Sequence, residues 1–246
     1  MPPASCAATM APRPERWLAA MLALGAGVAL AAPPLPPFRA DYVAARNGSD
    51  IGEAQSALSA VEGETWEFLT HTRGTRGLAA LAGIEVMEKS EFRWRGRLPE
   101  LVQYDYKQDA AWTSRERSLR VDAAAGSIAS RDRDRSYTLA FEAGVADRHV
   151  VVLAIAAALA ADAPELRFRV ADKDKVEWHT YRRAGTESLE TPAGTFDTIR
   201  VERVREKPGR TTTSWFAPAA GHVPVRILQR EPDGETFELR LVRLQR

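Results

Sequence analysis

Four histidines, His71, His149, His179 and His222, are the first residues to test for chemistry. No two lie close in sequence, and neither His-x-His nor HExxH spacing occurs, so no zinc donor set is assembled locally. No Gly-x-Ser-x-Gly elbow presents a serine nucleophile. Neither GxxxxGK[ST] nor GxGxxG is present to cradle a phosphate. Arg73-Gly74-Thr75-Arg76-Gly77 has the glycines of an anion loop but lacks the following lysine and the strand-loop-helix frame. Asp172 and Asp174, interleaved with Lys173 and Lys175, read as a polar turn rather than as an acid–base pair. His149 falls in the first turn of a predicted helix and reads as a buried, hydrogen-bonded histidine rather than a catalytic base. The single cysteine, Cys6, lies in a segment expected to be removed. The remaining chain would have no disulfide, thiol nucleophile or thiolate metal site. The expectation is a protein with no recognisable catalytic motif, no metal and no cofactor.

The aromatic residues are a stronger signal. Phe92 and Trp94 share strand parity, as do Tyr104 and Tyr106, while Trp66, Phe68, Trp112, Trp178, Tyr181, Trp215 and Phe216 fall on other strands. If several pointed into a barrel too wide to fill itself, they would line an apolar cavity. The candidate ligand-binding residues are therefore Phe92, Trp94, Tyr104, Tyr106, Trp178 and Trp215. The alternative is that these side chains simply fill a β core, as large aromatics do.

The elements that would position them follow from periodicity. Val102, Tyr104 and Tyr106 alternate with polar residues, and so do Leu119 and Val121, Ile199 and Val201, and Phe237, Leu239 and Leu241. Period two means one buried and one wet face. About a dozen such runs, spaced roughly 8 to 12 residues apart, suggest a barrel or sandwich. Asn47-Gly48 and Asp233-Gly234 are hairpin signals, because both residue types tolerate positive φ. Glu62-Gly63, Ala184-Gly185, Pro192-Ala193-Gly194 and Pro208-Gly209 are further turn candidates. Arg131 to Arg135 alternates in sign and reads as a solvated hairpin with weak cross-strand pairs. The stretch from Arg73 to Gly83 reads as a loop with a short helical turn. Asp147, a good N-cap, leads into an alanine- and leucine-rich run ending before Pro164. It is apolar almost all round, so the helix near 147–161 should be buried. The expected fold is mostly β, a large antiparallel curved sheet or barrel, LolA-like or lipocalin-like, with this one helix packed inside.

At the start of the chain, Arg13 and Arg16 precede an apolar run from Trp17 to Leu30, then Ala29-Leu30-Ala31. That is the order of a secretory signal, with cleavage expected after Ala31. The run is shorter than the roughly 20 residues that span a bilayer. No cysteine stands at the cut to carry a lipid, and Met10 is an alternative start. The domain reading is 1–31 signal peptide, 32–37 proline-rich lead-in, and 38–246 one β-barrel-like domain. Removing the signal leaves 32 basic and 32 acidic residues, a balance that argues against a nucleic-acid partner.

Several short motifs occur in a definite order. Phe38-Arg39-Ala40-Asp41-Tyr42, Ile51-Gly52-Glu53, Glu88-Lys89-Ser90-Glu91-Phe92, Leu98-Pro99 and Tyr104-Asp105-Tyr106 come before the Asp147-led helix. Glu187 to Phe196, Thr213-Ser214-Trp215-Phe216-Ala217-Pro218 and Val223-Pro224-Val225-Arg226-Ile227 come after it. Together they resemble the exported bacterial proteins grouped as domain-of-unknown-function family 3108. Arg148 and His149 depart from the small hydroxyl residue expected soon after the aspartate. The resemblance implies a periplasmic or secreted, all-β domain and carries no activity or catalytic residue. The Trp-Phe-x-Pro and Val-Pro-Val-Arg pieces read as strand, turn and edge strand, since proline is excluded from central pairing.

Two binding readings and one catalytic reading remain. In the first, a lipid or other apolar molecule is held between the curved sheet and the Val150–Ala161 helix, as in half-barrels that ferry lipids. In the alternative, the core is filled and the molecule is a structural or interaction protein of the cell envelope, meeting an envelope protein at an exposed edge. The third is a hydrolase whose site has no sequence signature.

Overall fold

The computed structural model describes Met1 and residues 32–111, 113–205 and 209–246. The expected signal segment, Trp112 and the proline of the Pro208-Gly209 turn lie outside the described residues. The described compact unit runs from Pro33 to Arg246. Its strands are β1 (Phe38–Arg46), β2 (Ser49–Ala60), β3 (Thr65–Gly74), β4 (Glu85–Arg95), β5 (Leu98–Ala110), β6 (Thr113–Asp122), β7 (Ser127–Asp132) and β8 (Arg135–Ala140). They continue with β9 (Ala146–Asp147), β10 (Leu166–Asp172), β11 (Lys175–Thr191), β12 (Gly194–Val204), β13 (Thr211–Ala217), β14 (Val223–Arg230) and β15 (Thr236–Gln245). Two α-helices accompany them, α1 (Gly77–Leu81) and α2 (Val151–Ala160).

All fifteen strands form one sheet, ordered β8 back to β1, then β15 back to β9. Neighbours in sequence are paired in the sheet, except β8 and β9, and β1 pairs with β15 to join the two ends of the chain. All pairs are antiparallel except the short β9–β10 pair. The sheet is curved but not closed, since β8 and β9 remain its edges. The two meanders are connected through β9 and α2.

Alternation decides which side is inside. Phe38, Ala40, Tyr42, Ala54, Leu58, Phe68 and Phe92 point inward, and Phe168, Val170, Val201, Phe216 and Leu241 from the other meander meet them in one core. α2 lies in that core with eight of its ten residues buried. The sequence had asked for this, because a helix with apolar residues on every face can be stable only when it is surrounded. A smaller core of Leu101, Tyr104, Leu119, Ile128, Leu139, Val145 and Ala171 forms where the two ends of the sheet approach.

Local chemistry explains the turns. Asn47 and Gly48, with φ of 50° and 79°, join β1 to β2, and Gly234 at 91° lies between β14 and β15. Three expectations need correction. Ala184-Gly185 is not a turn but a bulge within β11, with Gly185 at φ 119° and the register shifting between Arg183 and Thr186. The extra residue bends the long strand without ending it. β14 is not an edge strand, as it lies between β13 and β15. Pro224 is accommodated because β14 pairs with β15 only from Arg226 onward, and β13 shifts register opposite the proline. Finally, α2 begins at Val151 rather than at Asp147, which belongs to β9. The Asp147 carboxylate nevertheless caps the turn that leads into the helix, accepting the backbone N–H of His149 at 2.7 Å and of Val150 at 2.8 Å.

Among the described residues no helix is long and apolar enough to cross a membrane.

Candidate functional site

Two places bring polar side chains together. The first is inside, around His149, which α2's leading turn pushes against the inner faces of β3 and β4. Its Nδ1 lies 2.9 Å from Ser90 Oγ and its Nε2 lies 2.9 Å from Thr70 Oγ1. Thr70 in turn meets Ser56 Oγ at 2.9 Å. The Phe68 ring stacks on the imidazole at 4.4 Å. Both ring nitrogens are thus satisfied, as a buried imidazole requires. Burial, together with Arg148 and despite Glu88, pulls the His149 pKa down to about 4, so the ring is neutral. Burial pushes the neighbouring Asp147 up to about 6, opposed by the backbone N–H groups of Val150 and His149. Its Oδ2 has no hydrogen-bond partner.

Beside this chain lies a charged cluster. Burial would raise Glu88, but Arg148 at 3.7 Å, His149 and the Tyr104 hydroxyl at 2.7 Å hold its carboxyl below the usual range. Arg148 and Arg117 both lie over the Tyr106 ring. Arg117 pairs with Asp132 at 2.7 Å and with Asp172 at 3.7 Å. The Arg131–Arg135 hairpin therefore carries a largely buried ion pair, which the solvated reading did not anticipate. Serine, histidine and aspartate are neighbours here, but the second ring nitrogen of His149 faces Thr70 rather than Asp147, and Ser90 is fully buried. The arrangement as it stands ties α2 to the sheet.

The second place is outside. A groove of about 670 Å³ crosses the outer face of β15, β1, β2 and β3. Arg39, Arg73, Arg76 and Arg243 line it with Asp41 and Glu53, over a floor that includes Val43 and Val242. β1 shifts register against β15 after Asp41 and against β2 after Ala44, and such bulges kink a strand. Asp41 accepts from Gln55 at 2.7 Å and from Arg243 at 2.9 Å. His71 pairs with Glu85 near the groove. Alternation alone places Arg39, Asp41, Glu53 and Arg73 on a wet face. That the face folds into a groove depends on the bulges, which have no sequence signature here.

The six aromatic candidates separate into three places. Phe92 and Trp94 pack edge to face at 5.1 Å in or against the main core, and Trp215 joins the same core. Trp215 donates Nε1–H to Glu187 at 2.7 Å, with Arg226 over its ring. Tyr104 is buried in the smaller core and Tyr106 packs on it. Trp178 is on the outer face, exposed, between Arg167 at 4.5 Å and Arg169 at 5.0 Å. It borders a hollow of about 320 Å³ shared with Leu139 and Ala140 of the β8 edge. The structure thus brings together Phe92, Trp94 and Trp215 in one core, Tyr104 and Tyr106 in another, and leaves Trp178 outside both. The remaining histidines are dispersed. His179 is buried beside Glu177 and Arg203, and His222 occupies the turn before β14. Among the described residues no three His, Cys, Asp or Glu side chains converge on a metal position.

No curated protein matches the chain. Among solved structures, it resembles a β-barrel-like protein of domain of unknown function DUF1849 from Brucella abortus, with a TM-score of 0.55 and 11% identity over 86% of this chain and 98% of that one. A lipoprotein candidate from Parabacteroides distasonis aligns over 87% of this chain and 97% of that one, with 12% identity and a TM-score of 0.36. A candidate exported protein with a YmcC-like fold from Bacteroides fragilis aligns over 85% and 94%, with 10% identity and a TM-score of 0.30. The first likeness is one of fold alone and agrees with the curved, barrel-like sheet. The family model described as protein of unknown function (DUF3108) matches residues 38–242, and the chain belongs to that family.

Proposed function

We propose that this is an exported cell-envelope protein that works by binding through its outer surface, with a filled interior, and not by catalysis. The observation that carries the reading is the position of α2, which occupies the inside of the sheet with eight of its ten residues buried. A carrier of the lipocalin kind needs that space for its ligand. Here Phe92 and Tyr104, which would have lined a cavity, are almost completely shielded by protein. The groove of about 670 Å³ on the outer face is of a size that small ligands and headgroups use. Export is supported by the Arg13–Ala31 pattern, and the expected mature N-terminus is Ala32.

Protein recovered from the periplasmic fraction is extracted with organic solvent, and the extract is examined by mass spectrometry. The expected result is no lipid or apolar molecule in stoichiometric amount. N-terminal sequencing of the same sample reads the cleavage site. A stoichiometric apolar ligand whose loss accompanies substitution of Phe92 or Trp215 would replace this reading by the carrier one.

A further inference from the structure

We infer that the outer groove and the α1 tip together dock the protein on an anionic membrane surface, the arginines taking phosphate headgroups while Leu78 and Leu81 enter the interface. The inference rests on the reading that the molecule works through its outer surface. From Gly77 to Ile84 no side chain is polar. Leu78 and Leu81, one helical turn apart, are each 83% exposed, the most exposed large apolar side chains among the described residues of the folded unit. Single exposed leucines are ordinary, but a pair on one turn within an unbroken apolar segment is an unpartnered tip.

The tip is fixed in place. Thr75 and Arg76 donate backbone N–H to the Ile51 carbonyl at 3.0 and 3.1 Å, Gly74 donates to Ile84 at 2.8 Å, and Ala111 donates to Ala82 at 2.8 Å. Ala79 is buried and lies so close over Gly74 that a Cβ there would meet its carbonyl oxygen at 2.6 Å. The leucines therefore project from an anchored turn, so little conformational entropy remains to be lost on docking.

Charge selects the partner. Arg76 immediately precedes α1 and also lines the groove, so the two features are continuous. The groove is lined by four arginines and two carboxylates; Asp41 pairs with Arg243 at 2.8 Å and lies 3.8 Å from Arg39, and Arg76 pairs with Asp50 at 3.2 Å. Arg73, exposed, has no ion pair among the described residues. Guanidinium groups beside a small apolar tip match a bilayer carrying phosphate headgroups. Two leucines are too few for the core of a stable protein interface, but they suit shallow insertion.

The test is flotation of the soluble, exported protein with vesicles of phosphatidylglycerol and phosphatidylethanolamine, and with vesicles of phosphatidylcholine alone. Binding is expected to the first and not the second. It should weaken in about 0.5 M salt, drop roughly fivefold or more in Arg73→Glu, and drop roughly tenfold or more in Leu78→Ser with Leu81→Ser. All these positions are exposed, and an unchanged thermal melt shows that the variants fold. Equal flotation on both vesicles, or anionic binding unaffected by the substitutions, overturns the proposal. So does tight binding of glycerol phosphate with no flotation, which reduces the groove to a site for a free anion. So does a dimer that the leucine variant converts to monomer, which assigns the tip to a second copy. None of these outcomes bears on whether the interior is filled, which the lipid extraction reads separately.

Discussion

His149 shows how a buried polar residue can be both costly and useful. Its two nitrogens find Ser90 and Thr70, 59 and 79 positions away in sequence. That separation is why a histidine after an N-cap aspartate was legible as buried while its partners were not. The pairing of β2, β3 and β4 brings the hydroxyls to it, and no local pattern encodes that. Ser90→Ala leaves a buried nitrogen without a partner and is expected to destabilise the fold by about 1–3 kcal/mol in urea unfolding. The ionisation states give a sharper test. Asp147 lies near 6 in the fold against 3.8 ordinarily, so the unfolded chain loses this proton first as pH rises. Stability contributed by Asp147 is present below the lower value and lost up to the higher. His149 lies near 4 against 6.5, so the unfolded chain gains this proton first as pH falls, and stability is lost from 6.5 down to about 4. Between about 4 and 6 the two slopes oppose each other. Asp147→Asn removes one of them. The variant should lose stability on acidification through that window, by up to about 1.4 kcal/mol per pH unit more than the wild type. Parallel pH profiles of the two proteins would show that Asp147 does not titrate as its surroundings require.

Among the elements, α2 was the most legible, because twelve or so apolar residues without a polar face admit only a buried helix. Most strands were legible for the analogous reason, and Asn47-Gly48 marked its hairpin through φ alone. What alternation cannot distinguish is a turn glycine from a bulge glycine, and Gly185 was read as the former. Nor can it tell whether a proline strand is central. Pro224 is tolerated because one side of β14 is unpaired there, and its carbonyl accepts the Tyr42 hydroxyl at 2.9 Å. The small side chains of α2 carry a further consequence. Ala157 is fully buried in the core that the helix shares with the inner face of the sheet. Ala157→Leu should overpack the core and lower stability by about 1–3 kcal/mol, measured by thermal or urea unfolding. Tolerance of leucine there without loss would indicate free volume inside the sheet, and would favour the interior ligand that the packing argues against.

At the scale of the molecule, the open sheet has two edges that approach without pairing. A closed barrel would join β8 to β9 by a ladder of backbone bonds and have no edge at all. Here the ends are held by scattered contacts instead. Leu101 donates its backbone N–H to the Val145 carbonyl at 2.8 Å, and the Ser130 hydroxyl donates to the Lys173 carbonyl. Arg117 of β6 is mostly buried, bonds Asp132 of β7 and reaches Asp172 of β10 across the seam. No sequence signal distinguishes such a seam from a closed ladder, since alternation specifies a strand's faces but not its partners. The seam should therefore be the softest long-range feature of the fold, because a few side chains do there what a ladder does elsewhere. Arg117→Ala leaves Asp132 with only the more distant Arg115 at 3.6 Å and removes the link to Asp172. The expected cost is on the order of 3 kcal/mol, as for removal of one member of a buried pair. Its location matters more than its size. Amide exchange should accelerate in β7, β8 and β10, where the ends part, and remain unchanged in β1 and β2, which carry ladders on both sides. Uniform acceleration across the sheet would mean that the two meanders unfold as one unit and that the seam has no separate opening.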